Sequence, residues 1–303
     1  MKKILFLLLL IGLGFQAKAQ QDYLFTQYMV NPLAYNPAYA GSRDALSALA
    51  MYRAQWIGIN GAPRTGLFQI HSPVGTSNFN VGLNLLSDRV GLFQFNDVAL
   101  SGAYRLELGD GNLQFGAQIA MRNYVANLSS ANTPQTNNDP TLRPYNETLP
   151  NFGFGFYYFN EKWFVGGGIP FFYNHQVDIS TNSAIDETYL RHYNLSAGLI
   201  RDLTESVKFR PSFLFKYAPH APAQIDLNAA FVFNDAILVG ASLRNLETVG
   251  GIIQVFLKNN LYVGYSYDYS LNALTTVNTG SHEIFICYDF KIRGAMVQSP
   301  RYF

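Results

Sequence analysis

Residues 112–124, NLQFGAQIAMRNY, put Leu113, Phe115, Ala117, Ile119 and Met121 on one face of an extended chain and Gln114, Gly116, Gln118 and Arg122 on the other. A period of two marks a β-strand. The same alternation returns along most of the sequence. Phe79, Val81, Leu83 and Leu85 oppose Asn78, Asn80, Gly82 and Asn84, and Val207, Phe209, Phe213 and Phe215 oppose Ser206, Lys208, Arg210 and Ser212. Ile225, Leu227, Ala229 and Phe231 oppose Gln224, Asp226 and Asn228, while Val263, Tyr265, Tyr267 and Tyr269 oppose Gly264, Ser266 and Asp268. Each ribbon must hide its apolar face, either against a second sheet or in lipid.

Composition narrows the choice between those two surroundings without deciding it. Only 14% of the 303 residues are charged, against about a quarter in an ordinary soluble domain, so little is available to cover a wet surface. Beyond the first residues there is no apolar run of the roughly 18 residues that a membrane helix needs. A formal charge of +1 offers no electrostatic footprint for nucleic acid. If the chain is a membrane protein, it therefore crosses with strands. At its start, Lys2 and Lys3 precede the apolar residues 4–15, and Ala17-Lys18-Ala19 supplies small residues for signal peptidase. We expect residues 1–19 to be a signal peptide. The single cysteine, Cys287, leaves no lipid-accepting cysteine behind that signal and no intrachain disulfide.

Segmenting on alternation and turn residues gives about fourteen strands: 43–56, 63–71, 78–87, 95–106, 112–125, 150–159, 163–173, 190–201, 207–217, 224–233, 236–244, 251–257, 260–269 and 281–291. Most approach the ~10 residues that cross a bilayer at a tilt. The even-numbered connections are short, at 72–77, 107–111, 160–162, 202–206, 234–235 and 258–259. Long odd-numbered ones stand at 88–94, 126–149, 174–189 and 270–280. Short turns on one rim and long loops on the other mark an outer-membrane barrel, with the long loops outside the cell. A soluble sandwich gives no reason to sort loops by parity.

The apolar faces carry almost no charge, whereas Lys208, Arg210, Lys216, Asp226, Asp268, Glu283 and Asp289 fall on the opposite faces. This predicts an all-β, transmembrane, antiparallel up-and-down barrel over residues 43–291, with apolar faces in lipid and polar faces lining the lumen. The sheet must close because backbone groups in hydrocarbon need partners. Tyr104, Tyr124, Tyr193, Tyr217 and Tyr288 are expected at the rims as an aromatic girdle. Residues 20–42 hold two Asn-Pro pairs and no sustained period, predicting an irregular segment in the periplasm or the lumen: a plug, a docking segment or a plain brace. Residues 292–303 are expected as a periplasmic tail.

The sequence carries no catalytic pattern. His71, His175, His192, His220 and His282 are scattered without metal-ligand spacing. Gly153-Phe154-Gly155 and Gly166-Gly167-Gly168 sit in strands and open no helix, so neither is a phosphate loop, and Gly240-Ala241-Ser242-Leu243-Arg244 lacks the second glycine of a nucleophile elbow. The chain reads as a non-enzymatic protein without cofactor or metal.

Residues 31–41 (NPLAYNPAYAG), 52–65 (YRAQWIGINGAPRT), 71–73 (HSP), 280–284 (GSHEI) and 299–303 (SPRYF) closely resemble the PorP/SprF family of type IX secretion system membrane proteins of Bacteroidetes. The resemblance runs through the mature chain in order and spacing, while the long loops between 126 and 189 match nothing diagnostic. It implies a FadL-like barrel of about fourteen strands and a non-enzymatic role in protein export, surface attachment and gliding motility. The implied partners are outer-membrane lipid, periplasmic ring lipoproteins of the machinery, and a secreted surface adhesin or its C-terminal domain. Asn36, Pro37, Arg53, Trp56, Gly61, Pro63, His282, Glu283 and Arg301 match as candidate structural or docking positions. An outer-membrane diffusion channel or hydrophobic-solute transporter of the FadL kind would use the same architecture, and a secreted adhesin sandwich is the soluble alternative.

Overall fold

The computed structural model describes residues 23–127, 144–178, 186–257 and 260–290. The signal-peptide reading, the tail at 292–303 and most of the connection at 126–149 lie outside the described residues. Wall strands follow in sequence order: β1 (Leu46–Ala54), β2 (Arg64–Pro73), β3 (Phe79–Val90), β4 (Phe93–Leu108), β5 (Gly111–Ala126), β6 (Tyr145–Phe159) and β7 (Trp163–Ile169). A small hairpin, β8 (His175–Asp178) with β9 (Asp186–Tyr189), forms a separate two-stranded sheet in the connection that follows. The wall resumes with β10 (Tyr193–Leu199), its short continuation β11 (Arg201–Asp202), β12 (Val207–Tyr217), β13 (Gln224–Phe233), β14 (Ile237–Arg244), β15 (Thr248–Leu257), β16 (Leu261–Ser270) and β17 (Ser281–Phe290). Taking β10 and β11 as one interrupted strand, the wall has fourteen strands.

Each wall strand pairs antiparallel with its neighbours in sequence, and β1 pairs with β17 from Leu46↔Phe290 to Ala54↔His282, so the ring closes. All-β architecture, antiparallel up-and-down order and strand number agree with the sequence reading. So does the direction of the faces. Phe115, Ile119, Val81 and Tyr265 are exposed on the outside, while Gln114 and Gln118 are buried within. Arg210, Lys216, Asp226, Asp268, Glu283 and Asp289 all point inward and are buried. On β5 the outward residues stay apolar from Leu113 to Met121, close to the 9–11 residues that a tilted strand needs to cross hydrocarbon. Above that belt the outward faces turn polar, where Ser87, Gln94 and Asn96 hydrogen-bond together, as do Asn123, Asn146 and Thr148.

Three local expectations change. The connection read at 88–94 is a two-residue turn, Gly91-Leu92, with Gly91 at φ 59°. Its polar residues mark the exit from the membrane and stay in the sheet, with Asp88 accepting a hydrogen bond from Thr65 Oγ1 at 2.6 Å. The seventh strand stops at Ile169, short of 173, because Pro170 has no N–H to give to the ladder. Tyr124 is absent from the outer girdle. It shares parity with Arg122, points inward, and is fully buried against Phe93 and Phe95. Tyr104, Tyr193 and Tyr217 are exposed on the outside, and Tyr288 is half-buried against Phe290.

Every connection of six residues or more lies on one rim, and we take that rim as the outer one. A lipid-facing wall has a direct mutational signature. Ala117→Arg, at the middle of the belt on β5, should destabilise the barrel by about 2–4 kcal/mol, whereas Ala117→Leu should stay within about 0.5 kcal/mol of wild type. Reversible denaturant unfolding in lipid vesicles measures both.

Candidate functional site: the plugged lumen

A wall of fourteen strands encloses more space than its own inward side chains fill. Residues 23–43 occupy that space, and all of them except Val30, Pro32 and Arg43 are buried. The Asn-Pro pairs explain how the segment fits. Pro32 and Pro37 each open a single 3-10 turn, Pro32–Ala34 and Pro37–Tyr39, and a third turn covers Tyr28–Val30. Proline is preset for the first position of a turn, and Asn36 caps the last one by accepting the Ala38 N–H at 3.0 Å. The result is a compact, irregular column.

Its upper end is latched by charge. Arg53 on β1 contacts Glu283 on β17 at 3.1 Å and Asp268 on β16 at 2.7 Å, and donates to Thr26 Oγ1 at 2.9 Å. The Glu283 carboxylate accepts the backbone N–H groups of Thr26 and Gln27 at 2.9 and 2.8 Å. Asn228 donates to the Thr26 carbonyl at 3.1 Å and Gln254 to Gln27 Oε1 at 3.0 Å. Arg244 pairs with Asp226 at 2.7 Å and reaches Asp268 at 3.8 Å. Six strands, β1 and β13 to β17, thus grip one dipeptide. Lys216 donates to the Tyr23 carbonyl at 3.0 Å and lies over the Tyr35 ring. Buried charges persist only when paired and hydrogen-bonded, and here the plug backbone completes the pairing.

Below the latch the wall is hollowed by glycine. A methyl group on Gly168 would meet the Tyr35 carbonyl oxygen at 2.6 Å and Asn36 Cα at 2.9 Å. One on Gly116 would strike the Pro37-Ala38 backbone, and one on Gly155 the Asn36 amide. Asn36 also donates to the Phe156 carbonyl at 2.8 Å. The glycines on β6 and β7 therefore seat the plug. At the inner rim Arg105 pairs with Asp44, Arg43 with Asp289 at 3.5 Å, and the Gly41 N–H donates to His71 Nδ1 at 3.1 Å. Burial pulls the Arg43 guanidinium pKa down, but Asp289 together with Tyr39, Cys287 and Tyr262 outweighs it and the pKa is raised.

The lumen is less uniformly polar than the strand faces suggest. Leu49, Met51, Leu67, Leu214, Leu238 and Phe285 point inward and form one cluster with Phe25, Tyr28 and Met29 of the plug. Apolar side chains are admissible on the inner face because the plug supplies their partners. This half of the lumen is a packed core.

Of the residues singled out in the sequence, Arg53 and Glu283 meet in the latch, and Asn36 and Pro37 sit in the glycine seat. Trp56, Gly61 and Pro63 belong to the connection 55–63 on the outer rim. There the Trp56 N–H donates to Ser281 Oγ, the Ile57 N–H to the Gly280 carbonyl, the Gly91 N–H to the Gly61 carbonyl, and the Gln55 N–H to the Pro63 carbonyl. These bonds tie the loop to two neighbouring connections. His282 lies on the outer face, bonded to the Tyr265 hydroxyl at 2.6 Å. Arg301 lies outside the described residues. The reading missed Thr26, Gln27 and Arg244 as members of the latch. Inward parity of Arg244 opposite Asp226 was the available signal for one of them.

Residues 17–288 match the family model described as type IX secretion system membrane protein PorP/SprF. No curated protein matches the chain. Among solved structures, the Acinetobacter baumannii outer membrane protein Omp33 is similar at 10% identity, covering 82% of this chain and 100% of its own, with a TM-score of 0.48. The CymD monoaromatic hydrocarbon channel is similar at 13% identity, covering 89% and 94% respectively, with a TM-score of 0.49.

Removing the latch arginine leaves the buried Glu283 carboxylate without a paired cation among the described residues and Asp268 with only its 3.8 Å contact to Arg244. Arg53→Ala should cost about 3–5 kcal/mol, read as a lower denaturant midpoint for loss of the heat-modifiable folded form. Adding Glu283→Gln to it should recover part of the loss.

Proposed function

Since the chain belongs to the PorP/SprF family of type IX secretion system membrane proteins, we propose that it works as a plugged, membrane-fixed platform and not as a conduit. It is an outer-membrane component of that system. In the proposed role the long outer connections engage a secreted adhesin or its C-terminal domain, and the inner rim or the termini contact periplasmic ring lipoproteins. The observation that carries this reading is the filled lumen: the plug is held at the latch, along the glycine seat and at the inner rim. A barrel occupied along its length does its work at its rims.

The candidate residues divide accordingly. Asn36, Pro37, Arg53 and Glu283 keep the plug in place, whereas Trp56, Gly61 and Pro63 shape the outer rim to which cargo docks. No residue is assigned a catalytic part.

Two measurements test this. The intact protein in planar bilayers should show no steady conductance, and deletion of residues 23–42 should produce one; a steady open pore in the intact protein would favour the diffusion-channel reading. Deletion of residues 128–143 together with 179–185 spares every wall strand and should abolish cargo retention at the cell surface while the barrel stays heat-modifiable. Cargo retained at wild-type level would contradict the platform.

A further inference from the structure

The outer surface of the wall is largely apolar among the described residues. A concavity of about 600 Å3 indents it at β4, β5 and β6, within the roughly 300–1,000 Å3 of small-molecule sites. Its floor is Val98, Leu100, Ile119 and Met121, all exposed on the lipid-facing side. Phe152 and Tyr173 wall it, the latter from the chain that leaves the sheet after Pro170.

That overhang is held in place. Asn151 Oδ1 accepts the N–H groups of Phe172 at 2.8 Å and Tyr173 at 3.0 Å, and Asn151 Nδ2 donates to the Tyr173 carbonyl at 2.9 Å. His175 lines the cavity and bonds the Pro150 carbonyl at 3.0 Å. Phe172 stacks on Phe152, and the Arg191 guanidinium lies 3.8 Å from the Phe172 ring centroid. A cation thus stands beyond the Phe152–Phe172 stack that walls the hollow, its Nε donating to the Phe172 carbonyl at 2.6 Å and one terminal nitrogen to the Tyr193 hydroxyl at 3.3 Å, and among the described residues it forms no ion pair.

Height fixes the surroundings. The cavity lies just beneath the outward polar residues Asn96, Asn123 and Thr148, at the top of the apolar belt on the long-loop side. In the bilayer this is the outer leaflet, where acyl chains join their headgroups. The hollow is thus apolar below and polar at its mouth, with the Arg191 guanidinium beside it behind the Phe152–Phe172 stack.

We propose that this concavity holds an acyl chain of a phosphorylated outer-leaflet glycolipid of the lipid A class, with Arg191 facing a headgroup phosphate. The bound lipid covers the apolar hollow, and charge complementarity at Arg191 selects a phosphorylated head. No described residue of the plug lines the site.

Native mass spectrometry on protein purified from outer membranes in mild detergent tests the proposal. Delipidated protein is then rebound with purified lipid A, phosphatase-treated lipid A or phosphatidylethanolamine. Wild type should retain lipid A in preference to both competitors. Ile119→Trp fills the hollow and should lower the lipid A adduct about tenfold, while Arg191→Ala should erase the preference for phosphorylated over dephosphorylated lipid A, also about tenfold. If Ile119→Trp fails to give a heat-modifiable barrel, Leu100→Trp serves in its place. An adduct unchanged in a folded, filled variant overturns the site. Equal retention of phosphatidylethanolamine overturns the glycolipid assignment, and an unchanged phosphate preference in Arg191→Ala overturns the role of the arginine.

Discussion

Hydrocarbon offers no partner to a peptide N–H or carbonyl, so a sheet that enters it must close on itself. Closure here is the antiparallel pairing of β1 with β17, and its register does more than complete the ring. Counting seven residues up β1 from Leu46 and seven back along β17 from Phe290 brings Arg53 level with Glu283. The seam that closes the wall therefore assembles the latch, and β16 adds Asp268 beside it. A fourteen-stranded ring also creates a lumen wider than its own inward side chains fill. The plug occupies that space.

The plug is held by two different kinds of contact with different consequences. Packing of Phe25, Tyr28 and Met29 against Leu49, Leu67, Leu214 and Phe285 is nondirectional and supplies burial. The latch is directional. Buried ion pairs are weak contributors to net stability, since desolvation offsets their attraction, but they penalise any arrangement that breaks them. The latch accordingly fixes where the Thr26-Gln27 peptide sits, and the glycines at 116, 155 and 168 fix how near the wall the next turns come. Filling the interior leaves the two rims and the lipid-facing wall as the surfaces on which this member of the secretion machinery meets other molecules.

Much of this was legible from side-chain parity. Strand number, the direction of the faces and the sidedness of the loops follow from a period of two plus turn residues, because lipid removes the ambiguity about which face is wet. Parity was also sufficient to place Tyr124 inside with Arg122, yet its position near a strand end suggested a girdle. Residues 88–94 misled because Asp88, Arg89 and Gln94 are polar, and polarity there reports the end of the membrane while the sheet continues. Sequence alone does not choose between periplasm and lumen for the plug, since aromatic content and Asn-Pro pairs specify compact turns and not the place in which they pack. Glycines at 155, 166 and 168 break the alternation because Asn36 and Tyr35 of the plug lie against them, whereas Gly167 lies against the Phe156 ring. The latch joins residues more than 200 positions apart, and only the closing register brings them together.

The central claim is that the Thr26-Gln27 peptide is bound to the wall through Glu283 and keeps the lumen filled. Hydrogen exchange of the intact protein in lipid nanodiscs tests it at the two amides concerned. Protection of the Thr26 and Gln27 N–H groups comparable to that of wall amides in β16 and β17 is the predicted result. Exchange at the rate of an unprotected peptide, with the wall still protected, would contradict it.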